Sequence, residues 1–264
     1  MVWMMRRCKE LGLVLAALAL AWPAVAQAQS CSRSISMATG RWEPYAYYDA
    51  AMHFTGIDAD MVRAIFKEAD CQLIELDYKP ATRNMTLFEQ GDIDLMSGAS
   101  RTPERLKLAH FSQPYRDETI GLFALAQQAE HFRAIRSFPD FLAAPVSLVA
   151  PRAGWYGPVF EREAAALRGA GRLSRFGDFA QGIHMLAAGR VSLMLGDAAA
   201  VEHAAVRAGV QVQPLPFWVV QAPVHLMFNR ATVPQADVER IDAAIVRLQR
   251  RGVLERIRRS YGGQ

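Results

Sequence analysis

Apolar and polar positions along this chain fall into two alternating series. The first opens with the short apolar run "SISMAT". It continues with "DADMVRAIFKEA", where Met61, Val62, Ile65, Phe66 and Ala69 recur on one helical face. "QLIELDY" reads as a strand, "TRNMTLFEQG" as a helix closed by Gly91, and "DIDLMSGA" as a further strand. The second series starts near Pro145. Its strands are "PVSLVA", "RLSRFG" and "VSLMLG", interleaved with helices "GPVFEREAAALRGAG", "DFAQGIHMLAAGR" and "DAAAVEHAAVRAG". Such alternation implies βαβ units and parallel sheets, hence an α/β fold. The two series share order and spacing, and "GDIDLMSGA" aligns with "GRVSLMLGD" at Gly, Leu, Met and Gly, which supports two similar lobes. "ETIGLFALAQ" and "QAPVHLMFNR" read as crossings between the lobes. Beyond them, "ADVERIDAAIVRLQRRG" carries an apolar stripe of Val238, Ile241, Ile245 and Leu248. The expected organisation is a discontinuous first lobe, residues 29–120 with 221–264, and a second lobe, 121–220.

The segment before residue 29 follows another pattern. Arg6, Arg7 and Lys9 precede an apolar run from Leu11 to Trp22, and Ala24-Val25-Ala26 and Ala26-Gln27-Ala28 both offer small-residue cleavage sites. The run is shorter than the ~20 residues that span a bilayer. Residues 1–28 therefore read as a cleavable signal peptide, and the mature protein as periplasmic. Ala28-Gln29-Ser30 matches a lipobox poorly, so Cys31 is not read as lipidated. With Cys8 removed, Cys31 and Cys71 remain in an oxidising compartment. Each precedes a predicted strand. If those strands are parallel neighbours, a disulfide between them is feasible and would stabilise by ~3–4 kcal/mol.

Charge narrows the partners. The formal charge is +4, of which the leader's first ten residues contribute +2. The remainder is too nearly neutral to imply nucleic acid. The C-terminal arginines, Arg247, Arg250, Arg251, Arg256, Arg258 and Arg259, lie on amphipathic helices and read as a solvated face.

Candidate chemistry gathers where the echoing strands end, since ligands of open α/β sheets bind beyond the carboxyl ends of strands. One end leads through Gly98 and Ser100 to Thr102-Pro103-Glu104-Arg105. Thr102 suits an N-cap and Pro103 the first helical position. Arg105 offers a bidentate donor for a carboxylate. The other end supplies Asp197, an acceptor for an ammonium. On these residues alone the bland readings stand beside the functional ones: Arg105 as a surface arginine paired with Glu104 or Glu118, and Asp197 as the cap of the helix it precedes.

The stretches "GRWEPYAYYD", "FTGIDADMVRAIFKEA", "FEQGDIDLMSGASRTPERLKLAHFSQPY" and "LAAGRVSLMLGD" together resemble the extracellular family 3 of periplasmic solute-binding proteins, which serve polar amino-acid ABC transporters. The resemblance covers nearly the whole mature chain. It implies a type II periplasmic binding protein fold, with two α/β lobes joined by two hinge strands and closing over a small-molecule ligand. It further implies that Arg105 grips the ligand carboxylate with help from Ser100, that the Gly98 backbone carbonyl and Asp197 receive the α-amino group, and that Trp42 packs on the ligand side chain. A core role for Trp42 is the alternative. The chain departs from the family pattern at Gly98, where many members have serine. It also departs at Gly154-Trp155-Tyr156, where many have Gly-Thr. Trp155 and Tyr156 are candidates to stack on a flatter or larger ligand, and Arg83 is a second cation for the cleft mouth.

The expected partners are an amino acid or related organic acid and an inner-membrane ABC permease, with no cofactor and no metal. No His-x-x-x-His, Cys-x-x-Cys or Gly-x-Ser-x-Gly motif is present, and the expectation is a binding protein without catalytic activity. Two rivals share the fold. One is a dehydratase-like enzyme, for which Asp197 and Glu43 are the candidate acids. The other is a solute sensor that reports to a separate membrane kinase or receptor.

Overall fold

The computed structural model describes residues 30–261. The signal peptide read over residues 1–28 lies outside the described residues. In chain order the strands are β1 (Ile35–Met37), β2 (Tyr47–Tyr48), β3 (Phe54–Thr55), β4 (Leu73–Glu75), β5 (Leu95–Ala99), β6 (Ala109–Phe111), β7 (Arg116–Leu125), β8 (Leu148–Pro151), β9 (Leu173–Phe176), β10 (Leu193–Asp197) and β11 (Val212–Asn229). The helices are α1 (Ile57–Ala69), α2 (Ala81–Gln90), α3 (Pro103–Leu106), α4 (Phe138–Ala143), α5 (Pro158–Gly169), α6 (Phe179–Ala187), α7 (Ala198–Arg207), α8 (Gln235–Arg250) and α9 (Val253–Ser260).

Strand order is β4-β1-β5-β11-β7-β10-β8-β9, with β6 also on β11. It separates into two mainly parallel sheets, β4-β1-β5 and β10-β8-β9, each completed by one antiparallel crossing strand. β11 pairs with β5, and β7 pairs with β10. The echo in the sequence therefore marks equivalent places: β5 and β10 are the strands beside the crossings. The crossings also pair with each other over a long stretch, from Val212↔Leu125 to Val224↔Arg116. β11 is longer than the segment predicted for it. It takes in "VQPLPFWVV" as well, because both of its halves find a partner in β7.

The predicted helical stripes are all buried. Met61, Val62, Ile65, Phe66 and Ala69 of α1 join Val238, Ile241, Ile245 and Leu248 of α8 in one core cluster, so the C-terminal helix closes over the first lobe. This cluster continues through Phe123 and Phe176 to Phe179 and Ile183 of α6. A second cluster fills the other side of the second sheet with Leu122, Phe141, Tyr156, Phe160 and Leu195. Trp42 packs against both clusters. Among the described residues no helix is long and apolar enough to cross a membrane.

Cys31 and Cys71 form a disulfide with a Cα–Cα distance of 4.9 Å. The reason is the one the strand pattern suggests. β1 and β4 run parallel with Ile35 opposite Leu73, so the residues preceding them lie side by side. With the cysteines 40 positions apart in sequence, replacing both by serine is expected to lower unfolding stability by ~3–4 kcal/mol. A urea titration of the double variant reads this as a reduced midpoint with a steeper slope, because the unfolded chain without its cross-link exposes more surface.

Candidate functional site

The site lies where the loop after β1 and the starts of α1 and α3 meet the end of β10 and the crossing strands. Its first anchor is the helix start at Gly56. The Tyr45 carbonyl accepts from Asp58 N at 2.8 Å, and the Pro44 carbonyl accepts from Ile57 N at 3.0 Å. Gly56 sits at φ 120°, and a Cβ there would lie 2.3 Å from the Tyr45 carbonyl oxygen. Only glycine permits this approach. The "GID" stretch thus fixes Tyr45 and Asp58 relative to each other.

Asp58, in the first turn of α1, takes a bidentate ion pair from Arg116 at the start of β7. Arg116 Nε and Nη2 donate to the two carboxylate oxygens at 2.6 and 2.9 Å. Both side chains are buried, 8% and 5% exposed. Fork-to-carboxylate geometry is the strongest form of this pairing and the one best able to offset desolvation of two charges. The Tyr45 ring stacks on the Arg116 guanidinium at 3.9 Å, a cation–π contact out of water. The pair also explains Gly98. At φ 63° its missing Cβ would lie 3.1 Å from Asp58 Oδ2 and 3.4 Å from Arg116 Nη2. Gly98 N donates to the Tyr115 hydroxyl at 2.8 Å.

Tyr45 carries the cluster across to β10. Its hydroxyl donates to Asp197 Oδ1 at 2.9 Å. Asp197 also caps α7, accepting from Ala200 N at 3.1 Å. The capping role weighed from sequence is therefore present, together with a second bond to the other lobe. Asp197 is 2% exposed. Burial raises its pKa, opposed by Arg116, the Tyr45 hydroxyl and the backbone N–H groups of Ala200 and Thr119. Beside it on β7, Glu118 is buried and accepts from Ser100 Oγ at 3.0 Å. Burial pushes Glu118 up to about 7; Arg116 and the Ser100 hydroxyl oppose this, while the Asp197 and Asp58 charges add to it.

Arg105 stands on the other side of Ser100. Thr102 caps α3 and Pro103 opens it, as the sequence predicts. Arg105 Nη1 donates to the Ser100 carbonyl at 2.9 Å. Burial lowers its pKa, against the fields of Glu118, Tyr156 and Glu161. Tyr156 and Glu161 belong to the second series, so Arg105 faces the opposite lobe. Among the described residues no carboxylate lies within ion-pair distance of Arg105, and neither Glu104 nor Glu118 pairs with it.

The remaining candidates spread out. Trp42 is half-buried, 5.8 Å from the Phe179 ring, and its Nε1 is buried without a hydrogen-bond partner. Tyr156 is built into the second core, edge-on to Phe160, with its hydroxyl donating to the Ala153 carbonyl at 2.9 Å. Trp155 is half-buried beside it, and Arg83 is exposed on α2. Glu43 lies at the rim, 3.3 Å from His203 Nε2 and 3.6 Å from Arg207 on α7. No group of His, Cys, Asp and Glu side chains suited to a metal ion occurs among the described residues. Sequence reading missed Tyr45, Asp58, Arg116 and Glu118. The available signal was two ionisable residues at the borders of apolar elements, Asp58 before a buried helix face and Arg116 before a buried strand.

Residues 35–264 match the family of bacterial extracellular solute-binding proteins, family 3, and the chain belongs to that family. No curated protein matches the chain by sequence. Among solved structures it is similar to a histidine kinase sensor domain resembling periplasmic binding proteins, with a TM-score of 0.72 at 18% identity over 87% of this chain and 96% of that one. An amino acid ABC transporter substrate-binding protein from Streptococcus pneumoniae, bound to L-arginine, gives 0.70 at 18% identity over 87% and 94%. An ancestral amino acid-binding protein, a precursor of cyclohexadienyl dehydratase, gives 0.69 at 18% identity over 86% and 94%. These likenesses place the fold among the type II periplasmic binding proteins.

Two expectations follow from the cluster. Gly98→Ser, which places a side chain against the Asp58–Arg116 pair at a positive φ, is expected to cost about 1–2 kcal/mol of stability, read by thermal or urea unfolding. Glu118 has a folded pKa of about 7 against an ordinary 4.5. The folded state thus holds its proton more tightly than the unfolded chain. Stability from the neutral form is full below pH about 4.5 and is lost as pH rises towards about 7. Glu118→Gln is expected to remove that decline, so the variant gains on the wild type across this window in a pH series of melting curves.

Proposed function

We propose that this member of extracellular solute-binding family 3 captures a small carboxylate-bearing solute, an amino acid or a derivative of one, by lobe closure. Delivery to an ABC transporter permease from the periplasm follows from the same reading. The observation that carries it is Arg105: a guanidinium in the lobe interface, held by the Ser100 carbonyl, with no carboxylate of the described chain as its partner. A half-buried cation without a counter-ion is costly, and an anionic ligand removes that cost. The amino-acid class is supported by relatives such as the arginine-bound streptococcal protein. A ligand on Arg105 that also touches the second lobe binds the closed form better than the open one, and so shifts the population to closed. A permease or a sensor kinase reads that shape, and the capture step is common to both.

One observation favours a second reading. Glu118, with its pKa near 7, is the kind of buried acid that proton-transfer chemistry uses. It fits that role better than rim-exposed Glu43. Turnover of a cyclohexadienyl acid by purified protein, abolished in Glu118→Gln, would establish an enzyme; ligand returned unchanged after long incubation supports capture alone.

For the capture reading, Arg105→Ala is expected to weaken binding of the solute by well over tenfold, since a charge-assisted hydrogen bond in a dry site is lost. A thermal-shift screen of refolded protein against amino acids, polyamines and small organic acids, repeated on the variant, measures this. A ligand bound equally well by the variant would refute the role of Arg105.

A further inference from the structure

The hydrogen-bond partners in the site are asymmetric. Every buried carboxylate is already engaged. Both oxygens of Asp58 belong to Arg116. Asp197 accepts from the Tyr45 hydroxyl and from the α7 backbone, both at Oδ1. Glu118 accepts from Ser100. The donors left over are the remaining N–H groups of Arg105, with only the Ser100 carbonyl taken up, and the Trp42 indole N–H.

A ligand ammonium on Asp197 would compete with the Tyr45 hydroxyl, which already holds Oδ1. Tyr45 is not free to swing aside. Its carbonyl receives the first N–H groups of α1, its ring lies on Arg116, and its backbone is pressed against Gly56. Displacing its hydroxyl would leave a buried phenol without an acceptor, which costs about as much as the bond it replaces. Arg116 also brings a fixed positive charge close to Asp197, which is felt in the Asp197 pKa, and a second cation there would be repelled.

We propose that the solute recognised by this chain is a carboxylic acid without a free α-ammonium, such as an N-acylated, 2-oxo or 2-hydroxy acid, with the Tyr45 hydroxyl occupying the ammonium's place on Asp197. This rests on the capture reading and narrows it. The acid is held through acceptor atoms on Arg105, and its remainder lies against the Trp42 side of the interface. Tyr45 acts as a specificity residue, because it already holds Oδ1 of the carboxylate that a free α-ammonium would use.

The test compares matched sets that share a side chain. Phenylalanine, N-acetylphenylalanine and phenylpyruvate form one set, leucine and its counterparts a second, and glutamate, N-acetylglutamate and 2-oxoglutarate a third. Binding is measured by calorimetry on refolded wild type, Tyr45→Phe and Arg105→Ala. In any set that binds, the acylated or oxo acid is expected to bind at least tenfold more tightly than the free amino acid. Tyr45→Phe, which frees Asp197, is expected to shift that ratio at least tenfold towards the free amino acid. A merely structural loss would weaken both members alike and leave the ratio unmoved, and that result counts against the proposal. Free amino acid binding as tightly as its partner in the wild type overturns the proposal. If that binding is lost in Arg105→Ala, the capture reading survives alone. No binding by any acid in the three sets overturns both. Should Tyr45→Phe fail to fold, the wild-type ratio still decides.

Discussion

The buried ion pair between Asp58 and Arg116 is the constraint around which the site is arranged. Two charges taken out of water are tolerable only with near-ideal geometry and full hydrogen bonding. That demand fixes the start of α1 against the start of β7. It excludes a side chain at Gly98 and provides the surface on which Tyr45 stacks. Tyr45, so held, places its hydroxyl on Asp197 at the far strand end. One pair in the first lobe therefore governs which acceptor the second lobe can offer a ligand.

Charge balance follows from the same cluster. With Arg116 committed to Asp58, the buried groups left are Asp197, Glu118 and Arg105. Burial raises the pKa of both Glu118 and Asp197, and the Arg116 charge opposes it at each. Arg105 then remains the interior cation able to receive an outside partner. The likeness to amino-acid-binding structures extends to the fold at 18% identity, and the chemistry of the site belongs to this chain's own side chains.

The proposed closure would act through the long β7–β11 pairing. Both crossing strands run from one sheet into the other. Glu118 lies on this pairing, opposite Ala222, and also bonds Ser100 next to Arg105. Site and crossing are thus joined by a direct hydrogen bond.

The sequence by itself determined the parts that depend on local pattern. The βαβ alternation, the apolar stripes of α1 and α8, the Thr102 cap, the echo between β5 and β10 and the side-by-side cysteines are all periodicity, capping or strand-start features, and each was legible before any coordinates. Asp197 as a helix cap was legible for the same reason. What tertiary structure decided was pairing at distance. Nothing near Asp58 in the chain announces Arg116, 58 residues on, and nothing near Tyr45 announces Asp197, 152 residues on. Tyr156, a candidate for the ligand surface from its place in the family resemblance, packs in the second core, where its ring meets Phe160 and its hydroxyl meets Ala153. Arg83 stayed on the exposed face of α2. A side chain's type states what it can bond; only the folded chain settles which partner reaches it first, and in this protein that order separates an acceptor atom already bonded within the chain, Asp197 Oδ1, from an open donor, Arg105.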